Sequence, residues 1–182
     1  MLRILFNGTK LIIVFLFMFS GVTAVSQVGA WNPELQKEAK EAMSEMVTKT
    51  PKLQSYLENA YGYAVFPKIT KAGLGIGGAA GSGVVYQGNE TVGSSKLKQA
   101  SFGLQAGGQQ YSEVIFFENK TAFDHFTNGN LKFDAQASAV AITAGASIDV
   151  AYKNGVAVFT YALGGLMYEA SIGGQHFSYK KQ

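Results

Sequence analysis

Pairs of adjacent glycines recur through the last two-thirds of the chain, at 77–78, 107–108, 164–165 and 173–174, set among β-branched and aromatic residues. A glycine costs a helix interior about 1 kcal/mol relative to alanine, so such segments resist helix formation. In a strand, glycine marks a bulge, a sharp bend or a close approach of backbone. Recurring pairs therefore predict a strongly curved sheet, or a small barrel that needs kinks to close. The densest run is TKAGLGIGGAAGSGVVY (70–86), which contains Gly73, Gly75, Gly77 and Gly78.

Read literally, Gly73-Leu-Gly75-Ile-Gly77-Gly78 also has the G-x-G-x-x-G spacing of a dinucleotide loop. That loop needs a buried strand before it, a helix after it and an acid about twenty residues on. Here Pro67-Lys-Ile-Thr-Lys-Ala72 is a poor buried strand, and Ala79 to Tyr86 is a poor helix because it holds Gly81, Gly83 and three strand-favouring residues. Glu90 comes too early for the ribose role. Strand periodicity with one nearly bare face describes the run better. A bare face admits another strand, a helix or a ligand.

Before Tyr61 the chain reads as helical. Asn32 is an N-cap, Pro33 takes the first helical position and Glu34 complements the dipole. Leu35, Ala39, Ala42, Met43, Met46 and Val47 recur at helical spacing. Thr50-Pro51 starts a shorter helix that runs to about Asn59. Beyond it, 62–67 reads as a short strand closed by Pro67, and 73–86, 101–107 and 111–117 read as extended. "NKTAFDHFTNG" (119–129) reads as an inserted helix with a C-terminal glycine. Strands resume at 131–152, 155–162, 165–172 and 175–180, with a hairpin signal at Lys153-Asn154-Gly155. The fold class is α+β: N-terminal helices packed on a strongly curved, mostly antiparallel, Gly-rich sheet or small barrel, with one inserted helix.

The first residues have a different character. Arg3 and Lys10 precede the unbroken apolar run Leu11 to Phe19, and small residues follow at Val22-Thr-Ala24 and Val28-Gly-Ala30. This is the pattern of a secretory signal peptide over 1–24, with cleavage after Ala24 or as late as Ala30. A single domain over 31–182 follows. Without Arg3 and Lys10, 13 cations face 12 acids, and all 13 are lysines. A domain without arginine lacks the bidentate fork that reads phosphates and guanines best, which argues against sequence-specific nucleic-acid binding. There is no cysteine, so the core alone holds the fold. Export without disulfides points to a bacterial periplasmic or secreted protein, peripherally associated with a membrane.

Catalytic and metal chemistry find little support. The two histidines, His125 and His176, lack the partners a zinc site needs, and no Gly-x-Ser-x-Gly elbow is present. Neither a metal nor a cofactor is expected, and an enzyme is not expected. Glu113 and Glu118 read as solvated strand ends. The more informative side chains are lysines. Lys68 and Lys71 bracket Ile69-Thr70 just before the glycine strand, and a projecting 66–72 turn would make Lys68, Ile69 and Lys71 a basic-apolar tip for a phospholipid headgroup. Lys96 and Lys98 form a second pair, and Trp31 is a candidate interfacial anchor.

"YGYAVFPKITKAGLGIGGAAGSGVVY" (61–86), "ASFGLQAGGQQYSEVIFF" (100–117), "AQASAVA" (135–141) and "GGLMYEASIGGQHFSY" (164–179) together resemble the SYLF domain family. The resemblance covers about 33–180, in order. It implies a non-enzymatic lipid-binding module, which binds phosphoinositides in eukaryotic members, some of which also bind actin. Exported bacterial members look like envelope lipid-binding proteins. In eukaryotic members an amphipathic N-terminal segment is associated with membranes; here the helix at 33–48 mixes four glutamates with two lysines. Actin, absent from a bacterial envelope, does not carry over. The expected function is non-catalytic phospholipid binding, with anionic headgroups meeting the Lys68/Lys71 turn. The alternative is an envelope protein-interaction module that docks a partner through its apolar sheet or its Met43/Met46 helix face.

Overall fold

The computed structural model describes residues 32–133, 139–142, 150–163 and 172–182, without the side chains of 74–76 and 101–107. Helices α1 (Pro33–Lys49) and α2 (Leu53–Asn59) come first. Strands β1 (Gly62–Gln87) and β2 (Glu90–Phe117), helix α3 (Lys120–Thr127), and strands β3 (Val140–Ala141), β4 (Val156–Ala162) and β5 (Gln175–Lys181) follow. The expected strand at 165–172 and most of that at 131–152 lie outside the described residues, as does the leader.

The helix ends follow from local chemistry. Asn32 Oδ1 accepts hydrogen bonds from the Glu34 and Leu35 amides at 3.0 and 3.3 Å. Asn119 Oδ1 caps α3 by accepting from the Ala122 amide at 3.0 Å. Gly129 beyond the end of α3 has φ +72°, the left-handed conformation that only glycine adopts without cost. Asn154 and Gly155 also have positive φ, at 53° and 75°. Lys153 and Val156 exchange both backbone hydrogen bonds around them, which makes the expected tight hairpin.

The sheet is built on one very long hairpin. β1 and β2 pair antiparallel from Gly62↔Phe117 to Gln87↔Glu90. The second half of β2 pairs with β4, its first half with β5, and β3 lies parallel to β4. The described strands form an open five-stranded sheet, curled rather than closed into a barrel. Pro67 does not end a strand as its chemistry suggests. Pro67 and Lys68 together oppose Ser112 alone, a bulge where the missing proline N–H does no harm. Ser112 Oγ donates to the Pro67 carbonyl at 2.7 Å and holds the bulge.

The glycines fold this hairpin back on itself. A Cβ on Gly83 would lie 2.6 Å from Phe66 Cδ1 and 2.8 Å from the Val65 carbonyl. A Cβ on Gly81 would lie 2.9 Å from the Lys68 carbonyl. The two halves of β1 therefore pack against each other, and the fold-back is centred between residues 69 and 81. That interval contains Gly73, Gly75, Gly77 and Gly78. Gly73 pairs with Gly107 and Gly75 with Gly103, and the register shifts between Leu74 and Gly75. What approaches closely at Gly81 and Gly83 is the same strand.

The curl creates an inner and an outer face. The inner core holds Phe66, Ile69, Leu97, Ile115, Phe117 and Phe177, closed by Phe123 and Phe126 of α3. The outer core packs Ala39, Met43, Met46 and Leu53 of the helices against Val65, Val84, Phe116 and Phe159. Met46 is fully buried and Met43 nearly so. The α1 face proposed for a protein partner is therefore consumed by the fold itself.

Candidate functional site

Strand alternation decides where the lysines point. On β2, Leu97 and Gln99 are buried while Lys98 is exposed and Lys96 half-buried. On β5, Gln175 and Phe177 are buried while His176, Ser178 and Lys180 are exposed. The ladder places Lys96 opposite Ser178, Lys98 opposite His176, and Ser94 opposite Lys180. On the far side of His176 an antiparallel bridge brings Lys132 into the same row. Lys98, His176 and Lys132 thus stand side by side across three neighbouring segments. Stabilising cross-strand pairs place opposite charges together, and like charges directly opposite cost stability. The strand stretches that carry this face, 91–112 and 175–182, contain no Asp or Glu.

The first turns of α1 overhang one edge of the basic face. Between them lies a cleft of about 460 Å³. Its strand wall includes Lys96, Lys180 and Lys181, and its helix wall includes Glu34 and Glu38.

The Lys68–Lys71 tip takes a different form from the expected one. Residues 66–72 are part of β1 and no turn projects there. Ile69 is 0% exposed and belongs to the inner core, so it has no surface to offer a membrane. Lys68 is exposed at the bulge, and Lys71 is half-buried opposite Gln109. In the ladder Lys68 lies at the bulge opposite Ser112 and Lys71 opposite Gln109, whereas Lys96 and Lys98 pair with β5. Trp31 lies outside the described residues. His176, Lys132 and Lys180 were missed from sequence because they reach one face from separate segments. The alternation in Gln175-His-Phe-Ser-Tyr-Lys-Lys181 was the available signal.

Glu113 is also not a solvated strand end. It is 0% exposed, on the inner face of β2. Gln175 Nε2 donates to its Oε2 at 3.0 Å, and no cation pairs with it among the described residues. Burial pushes its carboxyl up to about 8, with the Gln175 hydrogen bond pulling the other way. Burial, followed by the neighbouring Glu113 charge, also pushes the Tyr111 phenol well above its ordinary value. Glu118 is exposed. Among the described residues no three His, Asp or Glu side chains are grouped to hold a metal ion.

Residues 98–182 match the family model Ysc84, described as "Las17-binding protein actin regulator". Beta cell expansion factor A of Aeromonas veronii is 30% identical over 156 residues, which cover 80% of this chain and 59% of that protein. The chain thus spans about three-fifths of the length of this relative. The matched segment contains β5, β4, α3 and most of β2, including Lys98, Lys132 and His176. These matches bear out the resemblance to the SYLF-domain family that the motifs quoted above carry.

Proposed function

We propose that this protein is a non-catalytic phospholipid-binding protein of the bacterial envelope, exported and peripherally associated with membrane. The observation that carries the reading is the basic face of β2 and β5. Lys98, His176 and Lys132 are aligned in one row, with Lys96 and Lys180 beside them. A fold gains nothing from lining up like charges, whereas a surface of phosphates does. Each lysine near an anionic membrane contributes about 1 kcal/mol, so Lys98 and Lys132 together supply about 2 kcal/mol. That is reversible, salt-sensitive attachment. No helix among the described residues is long and apolar enough to cross a bilayer.

This reading retains the lysines but moves the weight from the Lys68/Lys71 segment to the β2–β5 face. Co-sedimentation with anionic vesicles at low salt is the test. The protein is expected to pellet with the vesicles and to be released as ionic strength rises and the Debye length shrinks. Failure to bind any vesicle at low salt sinks the proposal. Lys98→Glu removes one attraction and adds a repulsion, and is expected to weaken binding about tenfold or more, with the melting temperature unchanged.

A further inference from the structure

We propose that the cleft between the first turns of α1 and the strands is a site for a zwitterionic headgroup, a phosphate joined by a short linker to an ammonium. The proposal rests on the lipid-binding reading and adds the chemical class of the ligand. The cleft's volume of about 460 Å³ lies within the range of small-molecule sites.

The two walls carry opposite charge. Glu34 and Glu38 are four residues apart, so they share one helix face; both are exposed and both line the cleft. Across from them stand Lys96, Lys180 and Lys181. Leu35 and Val84 add apolar surface to the same cleft. A simple anion in this space is attracted by one wall and repelled by the other, and so is a simple cation. A zwitterion of matching reach satisfies both.

The helix end itself is not the phosphate site. Pro33 has no N–H, the Glu34 and Leu35 amides donate to the Asn32 side chain, and the Gln36 amide donates to the Asn32 carbonyl. With the first-turn donors engaged, the phosphate falls to the lysine wall and the ammonium to Glu34 and Glu38. Lys96 and Lys180 make further interactions within the chain, so the informative variants are at Lys181 and Glu38, both exposed.

The test titrates the protein with O-phosphoethanolamine, inorganic phosphate and ethanolamine by calorimetry, then challenges it with vesicles of phosphatidylethanolamine and phosphatidylcholine. Phosphoethanolamine is expected to bind at least tenfold tighter than either fragment. Lys181→Glu and Glu38→Lys should each weaken it about fivefold or more. Glu38→Lys should at the same time strengthen inorganic phosphate, a reversal of sign that a merely structural role does not produce. Equal binding of the three small molecules, or no change in the variants, overturns the proposal. Vesicles that displace phosphoethanolamine identify a lipid as the source. If phosphoethanolamine binds and neither these vesicles nor the anionic ones do, the cleft takes a free zwitterion and the lipid reading fails while the site stands. If vesicles bind the wild type and both variants alike, the lipid reading stands and this site falls.

Discussion

Glu113→Gln should make the protein more stable at pH 8 while leaving it nearly unchanged at pH 4.5. The buried carboxyl has one hydrogen-bond donor, Gln175 Nε2 at 3.0 Å, and its Oε1 has no hydrogen-bond partner. An ionised carboxylate in such surroundings is costly, so the folded state keeps the proton. In the unfolded chain the same group ionises near 4.5, and in the fold near 8. Below pH 4.5 it is neutral in both states and the fold has its full stability. Between pH 4.5 and 8 unfolding releases a proton, so stability falls as pH rises. Above 8 both states are ionised and the loss is complete.

At about 1.4 kcal/mol for each pH unit, the full loss is about 5 kcal/mol. That is a large part of the 5–15 kcal/mol typical of a domain. The glutamine amide has nearly the same shape, keeps an oxygen to accept from Gln175 and does not titrate. Denaturant unfolding of the wild type and Glu113→Gln at several pH values between 4.5 and 8.5 provides the readout. Contributions from every other titrating group cancel in the difference. The variant's advantage should grow steadily with pH and level off near 8. Parallel stability curves for the two proteins would refute the reasoning, because Glu113 would then be ionised in the fold or exposed to water.

Other consequences follow from contacts already described. Gly83→Ala places a methyl group 2.6 Å from the Phe66 ring and 2.8 Å from the Val65 carbonyl, and should cost about 1–3 kcal/mol in chemical denaturation. Asn32→Ala removes the acceptor for two first-turn amides of α1 and should cost about 1 kcal/mol. Lys71→Glu, on a half-buried β1 position remote in the ladder from Lys98, should weaken vesicle co-sedimentation less than Lys98→Glu does; an equal or larger effect would return the weight to the Lys68/Lys71 segment.

What was legible in the sequence was local. The caps at Asn32 and Asn119 and the Asn154-Gly155 turn each depend on a few neighbouring residues, and each is present in the fold. Pro67 misled because its break is absorbed by Ser112, a partner 45 residues away. Glu113 misled for a similar reason. A lone acid at the edge of an apolar run looks solvated until β5, 62 residues on, lays Gln175 against it. Ile69 looks like an exposed apolar tip in the sequence because nothing in its neighbours reveals that β1 folds back to bury it.

The glycine run connects these errors to the candidate site. Bending β1 near Gly75 brings Gly83 onto Phe66 and Gly81 onto Lys68, and so gives the sheet an inside and an outside. The inside is filled by aromatic rings and closes over Glu113. The outside is covered by α1 and α2 where Val84 and Phe116 lie, and the described helices leave Lys98, His176 and Lys180 of β2 and β5 exposed. The uncovered part is the stretch where alternation places lysines with no acid among them. The run with the spacing of a phosphate-binding loop shapes the basic face at a distance, since the bend it permits buries one set of alternate residues and leaves the basic set facing out.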